Sequence, residues 1–352
     1  MTISLHDYDI SFGKADEILR SFLEQQTYTQ IAVLVDENTR EFCLPKIQTV
    51  LNHFGANIIL IQSGEIHKNL EACDYIWQQM IDYRFDRRSL LLNLGGGVIG
   101  DMGGFCAATF KRGLDFVQIP TTLLAQVDAS VGGKLGIDLG GIKNCIGVFQ
   151  SPRRVLIDMD FLDTLPVREL RSGFAEVVKH ALIGDKKSWE KLKTLDKIQT
   201  SDLRQFIFPS LTLKKNIVEA DPFEQNIRKS LNFGHTIGHA VESYFLETDS
   251  PLLHGEAIAV GMICEAHLSH RLCGLAAKEL EDICRFINHF FPKITIFVTI
   301  FPQLLSLMYQ DKKNEHSTIN CSLISGIGEA KINQICSEVD LLWAISQYQK
   351  NG

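Results

Sequence analysis

The 352-residue sequence lacks several features that would assign it to a common class of protein. It contains no CxxC pair, no HExxH motif, no internal repeat and no low-complexity segment. The absence of HExxH argues against an ordinary metalloprotease. The nine cysteines are odd in number and scattered, which is typical of reduced, mostly buried thiols in a cytoplasmic protein. Because residues 1–14 contain no basic segment followed by an apolar core, we expect no signal peptide.

The sequence also lacks the positive charge and the long apolar runs that nucleic-acid or membrane partners favour. Its net charge is −7, so any site for an anionic ligand must be a local one. The most apolar late stretch, 286–308, contains Pro292, Lys293 and Pro302, which is more typical of buried helices than of a membrane span. With 45% hydrophobic and 22% charged residues, the composition is that of a soluble globular protein.

Hydrophobic periodicity divides the chain into two parts. Short apolar runs alternate with helical patterns in the first part, which predicts a mainly parallel sheet covered on both faces. From Pro166 onward the period is 3.6 residues, which predicts helices at 170–182, 187–195, 203–220, 235–245, 256–272 and 277–290. The predicted fold class is therefore an N-terminal α/β domain, residues 1–165, followed by a C-terminal all-α domain, residues 166–352.

Several polar or small residues come directly after predicted strands. These are Asp36, Glu65, Gly97 and Thr121. Ligands of parallel sheets bind beyond the carboxyl ends of the strands, so we expect these residues to line one crevice.

A glycine cluster follows the apolar run 90–94. Gly95, Gly97 and Gly100 match the GxGxxG pattern, in which backbone N–H groups approach a phosphate without a Cβ in the way. The alternative is a tight packing turn between a strand and a helix. The acid of the usual dinucleotide fingerprint is missing, because Asp115 precedes the next strand. The pattern therefore predicts nucleotide binding without the standard fingerprint.

Histidines and a carboxylate recur in the predicted helices. Glu176 and Lys179 lie within one helical turn, His235 and His239 are four residues apart, and His254 opens the next helix. Two histidines and one carboxylate with an open position describe a catalytic zinc site. The alternative is a chance HxxxH on a surface face, with Glu176 pairing only with Lys179.

Five basic residues are candidates for binding an anionic substrate. Any one of them is more commonly a solvated surface charge, and the glycine-flanked Lys134 and Arg112 fit that description least. The five are Arg112, Lys134, Lys143, Lys214 and Arg228.

Taken together, the motifs are more specific than any one alone. In order along the chain they are GGGVIGD, KRG, PTTLLAQVDASVGGK, KN, FAEVVKH, RKSLNFGHTIGHAVE, LHGEAIAVGM and DKK. With them, the sequence closely resembles the 3-dehydroquinate synthases of the sugar-phosphate cyclase superfamily, over roughly residues 35–330. The resemblance implies an N-terminal α/β NAD-binding domain and a C-terminal α-helical metal-binding domain.

The resemblance also implies roles for individual residues. The ligands of a divalent metal, zinc or cobalt, would be Glu176, His235 and His254. NAD contacts would come from Asp36, Ser63, Gly64, Glu65, Lys68, Gly96, Gly97, Val98, Ile99, Gly100, Asp101, Thr121, Thr122, Lys134, Lys143, Phe161 and Thr164. Substrate-binding or catalytic roles would fall to Asp128, Lys134, Asn144, Lys179, Lys214, Glu224, Arg228, Asn232 and His239. Arg112 would reach the substrate phosphate of a neighbouring subunit, which implies a homodimer, and one of Lys312 and Lys313 would also contact substrate.

The implied reaction converts 3-deoxy-D-arabino-heptulosonate 7-phosphate (DAHP), a small-molecule sugar phosphate, to 3-dehydroquinate and phosphate in the shikimate pathway. Bound NAD would remove a hydride and return it, so that no net oxidation occurs. Three alternatives remain open. They are a cyclase for a neutral heptulose or hexose phosphate, a polyol dehydrogenase of similar fold, and a non-catalytic regulator. The sequence departs from the family at Ile142 and Asn226, where glycine is usual, and between His239 and His254, where it is longer.

Overall fold

The computed structural model describes residues 1–140, 142–246, 248–310 and 318–351. The chain divides into two compact units, Met1–Pro166 and Val167–Gly352. Lys312 and Lys313, for which the sequence analysis predicts one substrate contact, lie outside the described residues.

The first unit alternates strands and helices. In chain order these are β1 (Thr2–Ser4), β2 (Asp9–Phe12), α1 (Ala15–Glu24), β3 (Ile31–Asp36), α2 (Glu37–Phe42), α3 (Gln48–His53), β4 (Asn57–Ile61), α4 (Leu70–Asp82), β5 (Leu90–Gly95), α5 (Gly97–Thr109), β6 (Asp115–Pro120), β7 (Lys134–Leu139), β8 (Ile142–Phe149) and β9 (Arg154–Ile157).

Seven of these strands form one sheet in the order β1-β2-β9-β6-β5-β3-β4. All neighbouring pairs are parallel except β1 and β2. Alternate residues of β3 enter two different cores, with Val33 and Val35 on one face and Ala32 and Leu34 on the other. The predicted parallel sheet with both faces covered is therefore confirmed.

The sheet has a switch point between β3 and β5. From β3 the chain adds β4 on one side and then crosses to add β5 and β6 on the other. Ligands of open α/β sheets bind in the crevice at the carboxyl ends of the two strands that flank such a point. Asp36 ends β3 and Gly95 ends β5, so the topology predicts a ligand site beside the residues that follow them.

A separate antiparallel hairpin, β7–β8, was not predicted. Lys134 pairs with Phe149 and Leu135 pairs with Val148. Its alternation is hard to detect in the sequence, because glycines and charged residues occupy many of its positions. Leu135 packs so closely against α5 that a Cβ on Gly104 would lie 2.4 Å from its Cδ2 atom.

The second unit is mainly helical. Its elements are α6 (Val167–Gly184), α7 (Lys186–Leu192), α8 (Thr200–Ala220), α9 (His235–Leu246), α10 (His254–Cys273), α11 (Ala277–Phe290), α12 (Phe301–Gln310), β10 (Asn320–Gly326), β11 (Glu329–Ile335) and α13 (Glu338–Asn351).

The six helices predicted for the second unit all form. The description of this unit as all-α needs one correction, because β10 and β11 pair as an antiparallel hairpin. The hairpin is irregular, with register shifts between Cys321 and Leu323 and between Ile324 and Gly326, and this irregularity hides its period-two pattern. Among the described residues, no helix is both long and apolar enough to cross a membrane.

Glycines allow α9 and α10 to meet backbone to backbone. A Cβ on Gly261 of α10 would lie 1.9 Å from the carbonyl oxygen of Gly234, just before α9. A Cβ on Gly238 would lie 3.2 Å from the carbonyl oxygen of Ala257. The sequence requires small residues here because the opposing atoms are backbone atoms, which cannot move aside as a side chain can.

We predict that Gly261→Ala lowers the free energy of unfolding of the second unit by about 1–3 kcal/mol or more, because the new methyl group must push α9 away from α10. Urea unfolding followed by tryptophan fluorescence measures the loss. Gly326→Ala is the matched control, since its Cβ would meet nothing closer than 3.6 Å. Equal unfolding midpoints for the two variants would contradict the prediction.

Candidate active site

The turn between β5 and α5 contains the GxGxxG glycines. Gly95 is required by packing, because its Cβ would lie 2.3 Å from the Ile99 side chain, whereas a Cβ on Gly100 would make a tight 3.2 Å contact with the Gln118 side-chain oxygen. Gly97 differs, since its Cβ would make only an ordinary 3.5 Å contact. No described side chain caps the first turn of α5, so its N–H groups, from Gly97 and Val98 onward, face an anion-compatible position.

The segment after β6 lies beside this turn. Pro120 pairs with Gly95 in the sheet, and the Thr121 N–H donates to the Gly95 carbonyl at 3.0 Å. A Cβ on Gly96 would lie 3.0 Å from the Thr122 methyl group. Two segments that the sequence analysis assigns to NAD, 96–101 and 121–122, are thus neighbours.

Asp36 ends β3, and Ser63 follows β4. The Asp36 carboxylate caps α2 by accepting from the Thr39 N–H at 2.7 Å. Ser63 donates to the Glu37 carboxylate through its N–H at 3.0 Å and through its hydroxyl at 2.7 Å. The hydroxyl bond lowers the pKa of Glu37. Glu37 joins the two strand ends, a role that no sequence motif indicates. Gly64 follows with φ of 108°, which only glycine adopts readily.

Five of the predicted residues form one polar cluster in the first unit. The buried Lys68 ammonium lies 2.7 Å from Asp101 Oδ2 and 2.6 Å from Asn144 Oδ1. Lys143 Nζ lies 3.1 Å from Glu65 Oε1. Burial lowers the pKa of Lys68, but Asp101 and Glu65 outweigh burial and raise it above its ordinary value. Lys68 therefore stays charged, and the cluster joins predicted NAD contacts to Asn144, a predicted substrate contact.

Asp138 supports this cluster and was also missed. Its carboxylate accepts from the Asn144 N–H at 2.7 Å, and its N–H donates to the Lys68 carbonyl at 2.8 Å. Asn144 has φ of 50°, a left-handed conformation that is uncommon for a residue with a side chain. The neighbouring Ile142 is exposed at the start of β8, so its departure from the family glycine meets no steric obstacle.

Four further predicted residues of the first unit lie elsewhere in it. Asp128 lies in a single π-helical turn, a feature frequent at functional sites, and Lys134 begins β7. Phe161 is buried in the core, with Lys46 Nζ 5.8 Å from its ring centroid, and Thr164 is exposed. The NAD contacts assigned to Phe161 and Thr164 stay predictions.

In the second unit, the three predicted metal ligands converge. Glu176 of α6 is fully buried, and its Oε1 atom lies 3.6 Å from His235 Nε2 and 3.4 Å from His254 Nε2. One ligand atom from each residue lies within 4.8 Å of the other two. The two histidines are the first residues of α9 and α10, so the close approach of these helices brings them together. The alternative of a chance surface HxxxH is excluded for His235, which is buried.

The second nitrogen of each ligand histidine has its own partner. His235 Nδ1 lies 3.1 Å from the Phe233 carbonyl oxygen, which can only accept, so Nδ1 bears the proton and Nε2 is left for a ligand role. His254 Nδ1 lies 3.0 Å from Glu242 Oε2. Such carboxylate–histidine contacts orient metal ligands in general, and no sequence motif indicates this role for Glu242.

The electrostatics of this cluster favour a cation. Burial lowers the pKa of His254, but Glu242 and Glu176 outweigh burial and raise it to about 9. Lys179 forms a buried salt bridge with Glu176 and balances part of the negative charge. His239, Glu242 and His254 form a second group with metal-binding spacing, and the His239 ring centroid lies 5.0 Å from that of His235. Both groups use His254, so they describe one cluster.

Four of the predicted substrate or catalytic residues of the second unit lie on α8 and on the segment after it. Lys214 and Arg228 are both buried. Arg228 Nη1 donates to the Pro222 carbonyl at 2.5 Å, and Asn232 Nδ2 donates to Glu224 Oε1 at 2.8 Å. Glu224 has φ of 60°, a left-handed conformation that costs energy unless the surroundings impose it.

Asp221 organises this loop. Its carboxylate accepts from the N–H groups of Gln225, Asn226 and Arg228 at 2.9, 2.6 and 3.0 Å. Asn226 has φ of −135° and ψ of −113°, outside the α and β regions, so this departure from the family glycine falls at an unusual backbone conformation. Burial raises the pKa of Asp221, but the three N–H groups and the Arg228 charge outweigh burial and lower it below its ordinary value.

The chain has an α/β unit followed by a helical unit that contains a Glu-His-His cluster. Two family models together match its residues 58–314. The family model described as 3-dehydroquinate synthase N-terminal matches residues 58–172, and the one described as 3-dehydroquinate synthase C-terminal matches residues 173–314. A curated 3-dehydroquinate synthase from Parabacteroides distasonis is 41% identical over 95% of this chain and 95% of its own. The chain belongs to the 3-dehydroquinate synthase family.

Solved structures show the same fold. A 2-deoxy-scyllo-inosose synthase complexed with carbaglucose-6-phosphate, NAD+ and Co2+ has a TM-score of 0.88 at 23% identity, covering 99% of each chain. The 2-epi-5-epi-valiolone synthase ValA from Streptomyces hygroscopicus subsp. jinggangensis, with NAD+ and Zn2+ bound, has a TM-score of 0.84 at 24% identity, covering 100% of this chain and 99% of its own. The predicted fold class and family are confirmed.

We predict that Asp221→Asn lowers the free energy of unfolding by about 1–2 kcal/mol, because a neutral amide offers one acceptor oxygen to three N–H groups. The folded pKa of Asp221 lies below the unfolded value of about 3.9, so the carboxylate stabilises fully above that pH and loses its effect as pH falls through the folded pKa. Urea unfolding from pH 7 to pH 3 measures the difference. Asp249→Asn, at an exposed position, is the control, and a pH-independent difference would contradict the prediction.

Proposed function

We propose that the protein is a 3-dehydroquinate synthase, which converts DAHP to 3-dehydroquinate and phosphate in the shikimate pathway. The observation that carries this proposal is the approach of His235 and His254 to the buried Glu176, in a chain 41% identical to a curated enzyme of that name. The conversion closes a carbocycle without net oxidation, so it needs a hydride acceptor that is regenerated, a Lewis acid and cationic groups for phosphate.

The site residues fit the two cofactors of this reaction. One buried carboxylate and two imidazole Nε2 atoms are the donors that zinc and cobalt accept while keeping a position for substrate. The first unit fits NAD, with uncapped N–H groups of α5 beside the switch point of the sheet. When bound, NAD takes up and returns a hydride, and the divalent metal polarises the oxygen at the reacting carbon. We assign NAD to the domain of residues 1–165 and the metal to the domain of residues 166–352.

The chain's own residues bind the substrate and move its protons in this proposal. Arg228, anchored at Nη1 by the Pro222 carbonyl, presents a planar guanidinium to the DAHP carboxylate. Lys214 and His239 contact the hydroxyl groups. Glu224, hydrogen-bonded to Asn232, accepts or returns a proton. Lys134 neutralises the phosphate that leaves. Lys179, in its buried salt bridge with Glu176, helps to hold that carboxylate in place for its ligand role.

The second candidate function is a cyclase that acts on a neutral sugar phosphate, as the structural neighbours' names indicate for those proteins. Arg228 favours DAHP over such a substrate, because a planar guanidinium can hold a carboxylate by two charge-assisted hydrogen bonds, and a heptulose or hexose phosphate without the carboxylate offers no such partner.

Phosphate release from DAHP by metal-loaded protein, with the product identified by mass, tests the proposal. We predict turnover with NAD in only catalytic amounts and a loss of roughly 30-fold to several thousand-fold in kcat/KM for Arg228→Ala, because its charged hydrogen bonds to the carboxylate are removed. Arg228→Lys should lose less, since lysine keeps the charge without the fork. Arg285→Lys, at an exposed position of α11, is the matched control and should keep native kinetics.

Two outcomes would contradict this assignment. Steady accumulation of NADH matched to product would identify an ordinary dehydrogenase. Faster turnover of sedoheptulose 7-phosphate than of DAHP would identify the neutral-substrate cyclase.

We further propose that the enzyme is a homodimer in which Arg112 enters the partner's active site. Lys111, Arg112 and Gly113 have φ of 50°, 70° and 109°, three successive left-handed residues that form a sharp corner. Arg87 Nε donates to the Lys111 carbonyl at 2.9 Å, and Lys111 Nζ donates to the Phe85 carbonyl at 2.5 Å. The Arg112 guanidinium makes no hydrogen bond or ion pair with the residues that the structure describes. A strained, anchored corner that presents an exposed arginine fits a contact with another molecule.

We predict that two inactive variants restore each other. After subunit exchange between Arg112→Ala and His235→Ala chains, a mixed dimer has one site with both defects and one with neither, so activity should return to about half per mixed dimer. Arg88→Ala, exposed at the same corner, is the control and should be active by itself. Verified exchange without recovered activity would count against the shared site.

We also assign the enzyme to the cytoplasm. All nine cysteines are free thiols, most of them buried, which fits a reducing compartment.

A further inference from the structure

Glu265 is a fully buried carboxylate for which the proposed reaction assigns no role. It lies on α10, three helical turns after His254. Its Oε2 atom accepts from the Gly234 N–H at 2.6 Å, and its Oε1 atom accepts from the Thr236 and Ile237 N–H groups at 3.0 and 3.1 Å. These three donors surround His235, the first residue of α9.

The first turn of α9 depends on this distant carboxylate for its cap. Helix N-termini are usually capped by a side chain at the position before the first helical residue, but that position is Gly234, which has no side chain. Gly234 also has φ of 80°, and a Cβ there would lie 2.6 Å from Met262, so a larger capping residue does not fit. The cap is therefore supplied by the helix that packs against α9.

A carboxylate suits this position better than a neutral group. Two oxygen atoms are needed to accept three N–H groups, and the negative charge interacts favourably with the positive end of the α9 dipole. A glutamine of the same size would offer one oxygen and turn an N–H₂ group toward backbone donors. The three hydrogen bonds also explain how a fully buried, charged glutamate is tolerated, because they offset the loss of its contacts with water.

We propose that Glu265 is a positioning residue for the metal site, an inference that rests on the proposed ligand set. By fixing the backbone on both sides of His235, Glu265 sets the position from which His235 Nε2 faces Glu176. Because α10 carries both His254 and Glu265, one helix supplies one ligand directly and fixes the other through its backbone. A change at Glu265 therefore alters the coordination geometry and affinity of the metal, as well as the stability of the helix pair.

Cobalt titration of the metal-free protein tests this inference. The dissociation constant for Co2+ is measured by competition with a chromophoric chelator, and the coordination geometry by the visible absorption spectrum of the bound ion. We expect Glu265→Gln to weaken Co2+ binding by about 10- to 100-fold and to change the spectrum. Glu265→Asp, which keeps the charge but draws the oxygens back, should show a smaller weakening with a changed spectrum, and it serves if the glutamine variant does not fold.

The matched control is Ser269→Ala, one turn further along α10. The Ser269 hydroxyl donates to the Glu265 carbonyl at 2.6 Å and accepts from the Ile324 N–H at 3.0 Å, so its removal destabilises the unit without touching α9. Native Co2+ affinity and spectrum are expected for this control. Equal effects of Ser269→Ala and Glu265→Gln would overturn the inference, because they would show general destabilisation.

His235→Ala separates the failure of this inference from the failure of the ligand assignment. Loss of Co2+ by His235→Ala, combined with native affinity and spectrum in a folded Glu265→Gln protein, would overturn the role of Glu265 alone. Native binding by His235→Ala would overturn the ligand set and, with it, the inference.

Discussion

The backbone contact between α9 and α10 is the constraint on which the arrangement of the second unit depends. Gly234, Gly238 and Gly261 lie where any Cβ would meet the opposite backbone or a buried side chain. Because His235 and His254 are the first residues of these two helices, the distance between the helices sets the distance between their imidazoles. A wider separation would move one histidine away from Glu176, so the packing of the unit and the geometry of the proposed metal site depend on the same contact.

Close packing of this kind places charged groups in low dielectric, and the protein satisfies each with partners. Glu176 has Lys179, Glu265 has three backbone N–H groups, and in the first unit Lys68 has Asp101. Buried ion pairs add little net stability, because desolvation offsets their attraction. What they add is specificity of position: each pair is favourable in one arrangement only, which is what a site for a metal or a nucleotide needs. The net charge of −7 gives no indication of these local charges.

Much of the fold was predictable because its signals are local. The buried run at β3 and the helical periodicity after Pro166 identify their elements without knowledge of the neighbours, and the spacing of His235 and His239 predicts a shared helix face. Glu242 and Glu265 were missed because their roles arise from contacts across 12 and about 30 residues, which no sequence period reports. The hairpins were missed because their strands are short, irregular or rich in glycine.

The glycine motif of the first unit shows how one pattern combines two physical requirements. Gly95 is needed so that a strand and a helix can pack, and this requirement would hold whether or not a nucleotide bound. Gly97 has room for a methyl group, so packing does not explain it. It starts α5, whose first N–H groups no described side chain caps. The structural explanation and the functional one therefore apply to different residues of the same motif, and only Gly97 counts as evidence for a ligand.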